Sequence, residues 1–185
     1  MTKILDEGNL RFDFSGCPLI SDVIKFDTKN PNGTTGVDFI AETDNCLYFI
    51  EVKDFQDPHP HAVAKRKAGF EMLVAAAKEK KELQDDELSS VKGSIFNLKL
   101  GLKIKDSLLR KYAYGEEFSK EVKYIIFINL DKLDKVQRGR LKEKISGHIP
   151  TGFNTDEFSA FRRISFDLVN AEQIKAYGIT CTAKS

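Results

Sequence analysis

Three charged residues in otherwise apolar surroundings, Asp38, Glu51 and Lys53, are of the types that hydrolytic metal sites use. One residue separates Glu51 from Lys53, so on a β-strand both side chains lie on the same face. Two adjacent carboxylates repel each other unless a cation lies between them, and Mg²⁺ or Mn²⁺ suits oxygen ligands and a phosphate substrate. These residues predict phosphodiester hydrolysis, in which Lys53 assists the attacking water and stabilises charge on the phosphate.

A β-hairpin is the element that must bring these side chains together. Two apolar runs, residues 37–43 and 46–53, are separated only by Asp44-Asn45, which suits a tight turn. A two-residue turn sets the ladder so that Asp38 lies opposite Glu51, with Cβ atoms roughly 4.5–5.5 Å apart. A shift of one residue would send Asp38 to the other face of the sheet.

Both faces of this hairpin are apolar, which predicts a sheet that is covered on both sides, as in α/β folds. One face carries Phe39, Ala41, Tyr48 and Ile50, and the other carries Ile40, Leu47 and Phe49. Further strands are predicted at residues 21–27, 122–130 and 163–169, and helices at about residues 62–83, 94–112, 135–146 and 171–177.

The second predicted helix has an apolar stripe and a basic side. The stripe, which is expected to face the core, consists of Ile95, Leu98, Leu102 and Leu109. The basic side consists of Lys99, Lys103, Lys105, Arg110 and Lys111. Together with Lys65 and Arg66, which follow the hairpin, this side is where phosphate contacts are expected. A solubilising face accounts for the same residues equally well.

Asp38, a spacer of twelve residues and the tripeptide Glu51-Val52-Lys53 resemble the motif of the PD-(D/E)xK nuclease superfamily. The resemblance covers residues 21–55, and Val37 stands where the name of the motif has proline. It implies a restriction-endonuclease-like α/β fold, with a central mixed β-sheet flanked by helices on both faces. It also implies that Asp38, Glu51 and the Val52 carbonyl bind a divalent metal, while Lys53 takes the role of the family's lysine.

Many members of this superfamily carry a further acidic metal ligand on an N-terminal helix. The candidates here are Glu7, Asp13 and Asp22, and Glu7 is preferred. Because members cut DNA and sometimes RNA, the resemblance implies a nuclease that depends on Mg²⁺ or Mn²⁺ and favours DNA over RNA. Nucleases that cut both strands often need two active sites, which suggests a homodimer by analogy.

Several alternatives stay open, because Glu-x-Lys is a common tripeptide that recurs here at residues 79–81 and 121–123. One alternative is a set of ion pairs at a sheet edge, with Lys53 paired to both carboxylates, although the cluster ends buried strands. A second alternative is a silent nuclease-fold module that binds nucleic acid or a protein partner in a defence or toxin system. A third, an α/β interaction protein unrelated to nucleases, depends on a different hairpin register.

The length of 185 residues fits a single nuclease-like domain spanning residues 1–185. With 41% hydrophobic and 31% charged residues, and no apolar run near the ~20 residues of a bilayer span, no membrane partner is expected. Residues 1–6 lack signal-peptide features, and three cysteines without a CxxC predict a cytoplasmic protein without disulfides. His59-Pro60-His61 is interpreted as a loop, and the motifs GxxxxGK, GxSxG and HExxH are missing, which disfavours several enzyme classes.

Overall fold

The computed structural model describes residues 3–28, 34–54, 56–57, 99–115, 120–129, 135–147, 149–151 and 164–184. In chain order its elements are β1 (Ile4–Glu7), β2 (Leu10–Asp13), β3 (Ile24–Lys25), β4 (Phe39–Glu42), β5 (Cys46–Asp54), α1 (Lys99–Ala113), β6 (Glu121–Asn129), α2 (Lys135–Ser146), β7 (Ile164–Val169), a 3-10 helix (Gln173–Tyr177) and β8 (Thr180–Ala183). Within these ranges no helix is both long and apolar enough to cross a membrane.

The larger of two sheets has five strands in the order β3-β4-β5-β6-β7. Its first three strands pair antiparallel, whereas β5, β6 and β7 pair parallel. The central strands β5 and β6 are apolar along most of their length because both of their faces are covered. The predicted mixed sheet of an α/β fold is therefore confirmed.

The two faces of this sheet are covered by different elements. Leu100 and Ile104 of α1 and Ile145 of α2 pack in one core, against Phe49 and Tyr124 among others. The second core is closed by the three-stranded antiparallel sheet β1-β2-β8 and by the 3-10 helix. Helices on both faces stay a prediction, because the helix expected at residues 62–83 lies outside the described residues.

The small sheet is joined to the large sheet through aromatic side chains. The Phe12 ring meets the rings of Phe39 and Phe127 edge-on, with centroids 5.3 and 5.1 Å apart. Burying a side chain of this size stabilises a fold by about 1.5–3 kcal/mol, and edge-on aromatic pairs add to that gain. The packing fixes β1, and the acidic residue at its end, against the large sheet.

Three predicted elements after the hairpin agree with the structure to within about one residue. The strand expected at 122–130 is Glu121–Asn129, that at 163–169 is Ile164–Val169, and the helix expected at 135–146 is Lys135–Ser146. The helix expected at 171–177 is a 3-10 helix over Gln173–Tyr177. The three strands of the small sheet were not predicted, because four-residue segments with polar positions carry little periodic signal.

The predicted apolar stripe of α1 is wrong for Leu102 and Leu109, while Ile95 and Leu98 lie outside the described residues. Leu102 and Leu109 are 46% and 59% exposed, and the helix instead buries Leu100, Ile104 and Leu108. Both sets recur at helical spacing, so the periodicity alone does not select between them. The sheet decides, because the buried set lies against the apolar face of β5 and β6.

Candidate functional site

The hairpin of β4 and β5 has the predicted register. Phe39 pairs with Ile50, and the pairing continues in step towards the turn. Extending the ladder by one pair places Asp38 opposite Glu51, on the face of the sheet that α1 covers. The one-residue slip that would have separated the two carboxylates is excluded.

Helix α1 holds the segment that leads into Asp38. The Thr35 backbone N–H and hydroxyl donate to Oδ2 of Asp106 at 2.8 and 3.0 Å. The Val37 N–H donates to the Ser107 hydroxyl at 3.0 Å, and Ser107 is fully buried. Because these bonds tie the two residues on α1 to the chain just before Asp38, the helix determines where that carboxylate lies.

Glu51 is the most enclosed charged group of the site, with 0% exposure. Its Oε1 accepts hydrogen bonds from Lys53 Nζ at 2.6 Å and from Lys103 Nζ at 2.7 Å. Its Oε2 is buried and has no hydrogen-bond partner among the described residues. Burial, and then the charge of Asp38, raise the pKa of Glu51 against the opposing effect of the two lysines.

Asp38 is also buried, and its two oxygens have separate partners. Oδ2 accepts the Val52 backbone N–H at 2.5 Å, and Oδ1 lies 3.4 Å from Lys103 Nζ. Lys103 therefore contacts both carboxylates of the motif. Its burial alone would lower its pKa, but the charges of Glu51 and Asp38 outweigh that effect and raise it.

The basic side predicted for α1 does not form a single exposed face. Lys105 is exposed, whereas Arg110 and Lys111 are buried and Lys103 turns towards Asp38 and Glu51. Spacing along the helix predicted that these basic residues share one side, but the direction in which each side chain points depends on how α1 is rotated on the sheet. The phosphate contacts predicted for Lys65 and Arg66, and the loop of His59 and His61, lie outside the described residues.

Two further carboxylates, from Glu7 and Asp27, lie next to Asp38. One oxygen of each of the three residues lies within 4.8 Å of the others. Glu7 was predicted from the superfamily as part of a helix, but it ends strand β1. Burial is the main cause of the raised pKa of both Glu7 and Asp27, and the charge of Asp38 adds to it. Of the other candidates, Asp13 binds the Ser15 N–H instead.

Asp27 was missed in the sequence, and its position depends on contacts around Phe26. The Phe26 N–H donates to the Asp38 carbonyl at 2.9 Å, which brings the next residue, Asp27, beside Asp38. From α1, Arg110 donates to the Phe26 carbonyl at 3.2 Å and stacks over its ring. The available signal was that Asp27 ends the strand predicted at residues 21–27.

The donor set suits a hard divalent cation. All three members of the Glu7, Asp27 and Asp38 group offer carboxylate oxygens, the ligands that Mg²⁺ and Mn²⁺ prefer. Glu51 is not a member of this group, but its Oε2 is buried without a hydrogen-bond donor among the described residues, which is costly for an anionic oxygen unless a cation satisfies it. Lys25 offsets part of the charge, with its Nζ 2.8 Å from Oε2 of Glu7.

Fold and site together define a mixed α/β protein in which acidic residues and lysines cluster beside the hairpin of β4 and β5. Comparison of the chain with protein-family models, with curated proteins and with solved structures gives no match. The functional interpretation therefore depends on the geometry of the site itself.

Proposed function

We propose that this protein is a metal-dependent nuclease that hydrolyses phosphodiester bonds of nucleic acid, with DNA preferred over RNA. The observation that carries the proposal is Asp38 opposite Glu51 on one face of a hairpin, with Lys53 bonded to Glu51. A restriction-endonuclease-like fold, a single domain and a cytoplasmic location belong to the same proposal. A homodimer would supply two active sites for cutting both strands.

Glu7, Asp27 and Asp38 would hold the divalent ion, with Glu51 and the Val52 carbonyl as the further ligands that the resemblance implies. A bound Mg²⁺ or Mn²⁺ supplies positive charge for the phosphate oxygens and polarises water. Asp38 is already oriented for this role, because the Val52 N–H fixes its Oδ2. Hard oxygen ligands support Mg²⁺ in preference to a softer metal.

Lys53 is the residue that we expect to act on the substrate phosphate and the attacking water. Its side chain is 29% exposed, whereas the Glu51 carboxylate that it contacts has no exposure. The Lys53 side chain is thus anchored on Glu51 and remains partly exposed to solvent. In that position it can donate hydrogen bonds to the attacking water and stabilise the negative charge that develops on the phosphate.

Calorimetric titration with Mn²⁺ tests the site without knowledge of the substrate. We expect wild type to bind Mn²⁺ and Asp38→Asn to bind it at least about tenfold more weakly, because a charged ligand is lost. Asp44→Asn, which removes the exposed acid in the turn of the same hairpin, is the matched control and should bind like wild type. No binding, or equal binding by Asp38→Asn, would contradict the proposal. Positive binding is then followed by cleavage assays on DNA and RNA with Mg²⁺.

One observation favours a second candidate function, the silent nuclease-fold module. Both lysines at Glu51 bond the same oxygen, Oε1, and Lys103 also lies beside Asp38. A cluster that is neutralised by its own lysines can persist without a metal, as a binding module for nucleic acid or a protein partner in a defence or toxin system. This candidate predicts no turnover on any nucleic acid and little Mn²⁺ binding.

A further inference from the structure

Lys103 lies beside both carboxylates of the motif, Asp38 and Glu51. Its Nζ lies 2.7 Å from Oε1 of Glu51 and 3.4 Å from Oδ1 of Asp38, and its side chain is only 19% exposed. It bridges the two carboxylates whose mutual repulsion indicates a cation. The ammonium group lies where a positive charge offsets the repulsion of the two carboxylates, although Lys103 comes about fifty residues after Glu51 in the chain.

Lys103 differs from Lys53 in how it is held. Lys53 contacts Glu51 from the same strand and is the more exposed of the two. Lys103 comes from α1, where its carbonyl accepts the hydroxyl of Ser107 at 2.7 Å, and the Ser107 hydroxyl in turn accepts the Val37 N–H. The turn of helix that carries Lys103 is therefore tied to the segment that carries Asp38.

The balance of charge around the pair follows from these contacts. Asp38 and Glu51 carry two negative charges, and Lys53 and Lys103 carry two positive charges, so this inner group is neutral. A divalent ion on Asp38 would add two positive charges within reach of the Lys103 ammonium. Like charges a few ångströms apart in a partly buried site repel strongly, so the lysine and the ion compete.

We propose that Lys103 is a built-in counter-ion that holds Asp38 and Glu51 together without metal and competes with the divalent ion for them. The proposal rests on the proposed function only in requiring that the site binds a divalent ion. Lys103 is thus a positioning residue, and it sets the affinity of the site for metal. It also keeps the carboxylates arranged in the metal-free protein.

The test is Mn²⁺ titration of wild type, Lys103→Met and Lys105→Met by calorimetry. Methionine keeps an unbranched apolar stem of similar length and removes the ammonium group, with its charge and its hydrogen-bond donors. We expect Lys103→Met to bind Mn²⁺ about tenfold more tightly or more, since the competing charge is gone. Lys105→Met removes the same charge from an exposed position of the same helix and should bind like wild type.

A thermal melt with and without Mn²⁺ supplies an independent readout. Metal-free Lys103→Met should melt at a lower temperature than wild type, because two buried carboxylates lose their shared partner. Mn²⁺ should raise its melting temperature by more than it raises that of wild type, because tighter binding to the folded state gives a larger shift. Lys103→Arg, which keeps the charge, should restore both values towards wild type.

The outcomes separate this inference from the proposed function. Unchanged or weaker Mn²⁺ binding by Lys103→Met, while wild type binds, overturns the role of Lys103 and leaves the nuclease proposal standing. Absence of binding in wild type and in every variant overturns both. If Lys103→Met fails to fold without metal, refolding it in the presence of Mn²⁺ decides the question, because the proposal requires that the ion replaces the lysine and rescues the fold.

Discussion

The backbone N–H of Val52 donates a 2.5 Å hydrogen bond to Oδ2 of Asp38. This bond joins the residue that precedes β4 to the central residue of the Glu51-Val52-Lys53 tripeptide. Because both partners are buried, the bond forms away from competing water. One half of the motif therefore orients the other, and the carboxylate geometry depends on the backbone of β5.

Replacing Asp38 with alanine should destabilise the fold more than replacing it with asparagine. Alanine leaves the buried Val52 N–H without an acceptor, which costs about 1–3 kcal/mol, whereas the asparagine carbonyl oxygen can take the bond. Urea unfolding of both variants measures the difference in the free energy of unfolding. Equal stabilities would show that this bond contributes little.

Lys53→Ala should abolish cleavage while the fold persists, because Lys103 remains bonded to Glu51. We expect a loss of about 100-fold or more in the rate of phosphodiester cleavage, the usual scale for removing a proton-transfer or charge-stabilising group. Lys123→Ala, in the Glu121-Val122-Lys123 tripeptide of β6, is the matched control and should cleave at the wild-type rate. Loss of activity in both variants would argue against a specific role for Lys53.

Asp27→Asn should weaken Mn²⁺ binding by about tenfold or more, since it removes one charged oxygen from the acidic group. Asp13 lies outside this group and accepts a hydrogen bond from the Ser15 N–H. The Asp13→Asn variant is therefore the control, and its affinity for Mn²⁺ should match that of wild type. Calorimetry on both variants compares the two positions directly. Wild-type affinity in Asp27→Asn would remove this residue from the proposed ligand set.

The small sheet should depend on Gly178, whose φ of 70° is unfavourable for other residues. A Cβ there would lie 2.2 Å from the Gly16 carbonyl oxygen, so Gly178→Ala should destabilise the protein by about 2 kcal/mol or more. Gly139 in α2 has open space around it, and Gly139→Ala should stabilise the helix by about 0.5–1 kcal/mol. Thermal or urea unfolding measures both variants and distinguishes the expected loss of stability from the expected gain.

Acid sensitivity should decrease when Tyr177 loses its hydroxyl. Burial would raise the pKa of Asp167, but hydrogen bonds from Lys142 and from the Tyr177 hydroxyl outweigh it and lower the pKa. A carboxyl whose pKa is depressed in the folded state contributes stability above its unfolded pKa and loses it as pH falls through the folded pKa. Stability curves from pH 6 to pH 2 should therefore fall less steeply below about pH 4 for Tyr177→Phe. A parallel fall in both proteins would contradict this assignment.

The sequence alone determined the hairpin and the pairing of Asp38 with Glu51. Both are local properties, because a two-residue turn sets the register of the strands that it joins and alternation sets the faces. The strands β6 and β7 and the helix α2 were also predictable, since each is a continuous segment with a clear pattern. The nuclease function that these residues indicate remains a proposal.

Only the tertiary structure decided which other charges join the pair. Glu7, Asp27 and Lys103 come from segments far apart in the sequence, and no periodicity relates their positions. Lys103 turns inwards because α1 buries Leu100 and Ile104 against the sheet, a rotation that several apolar patterns allow and packing alone selects. Local interactions thus built the motif, and the burial of apolar surface between distant segments placed the charged groups around it.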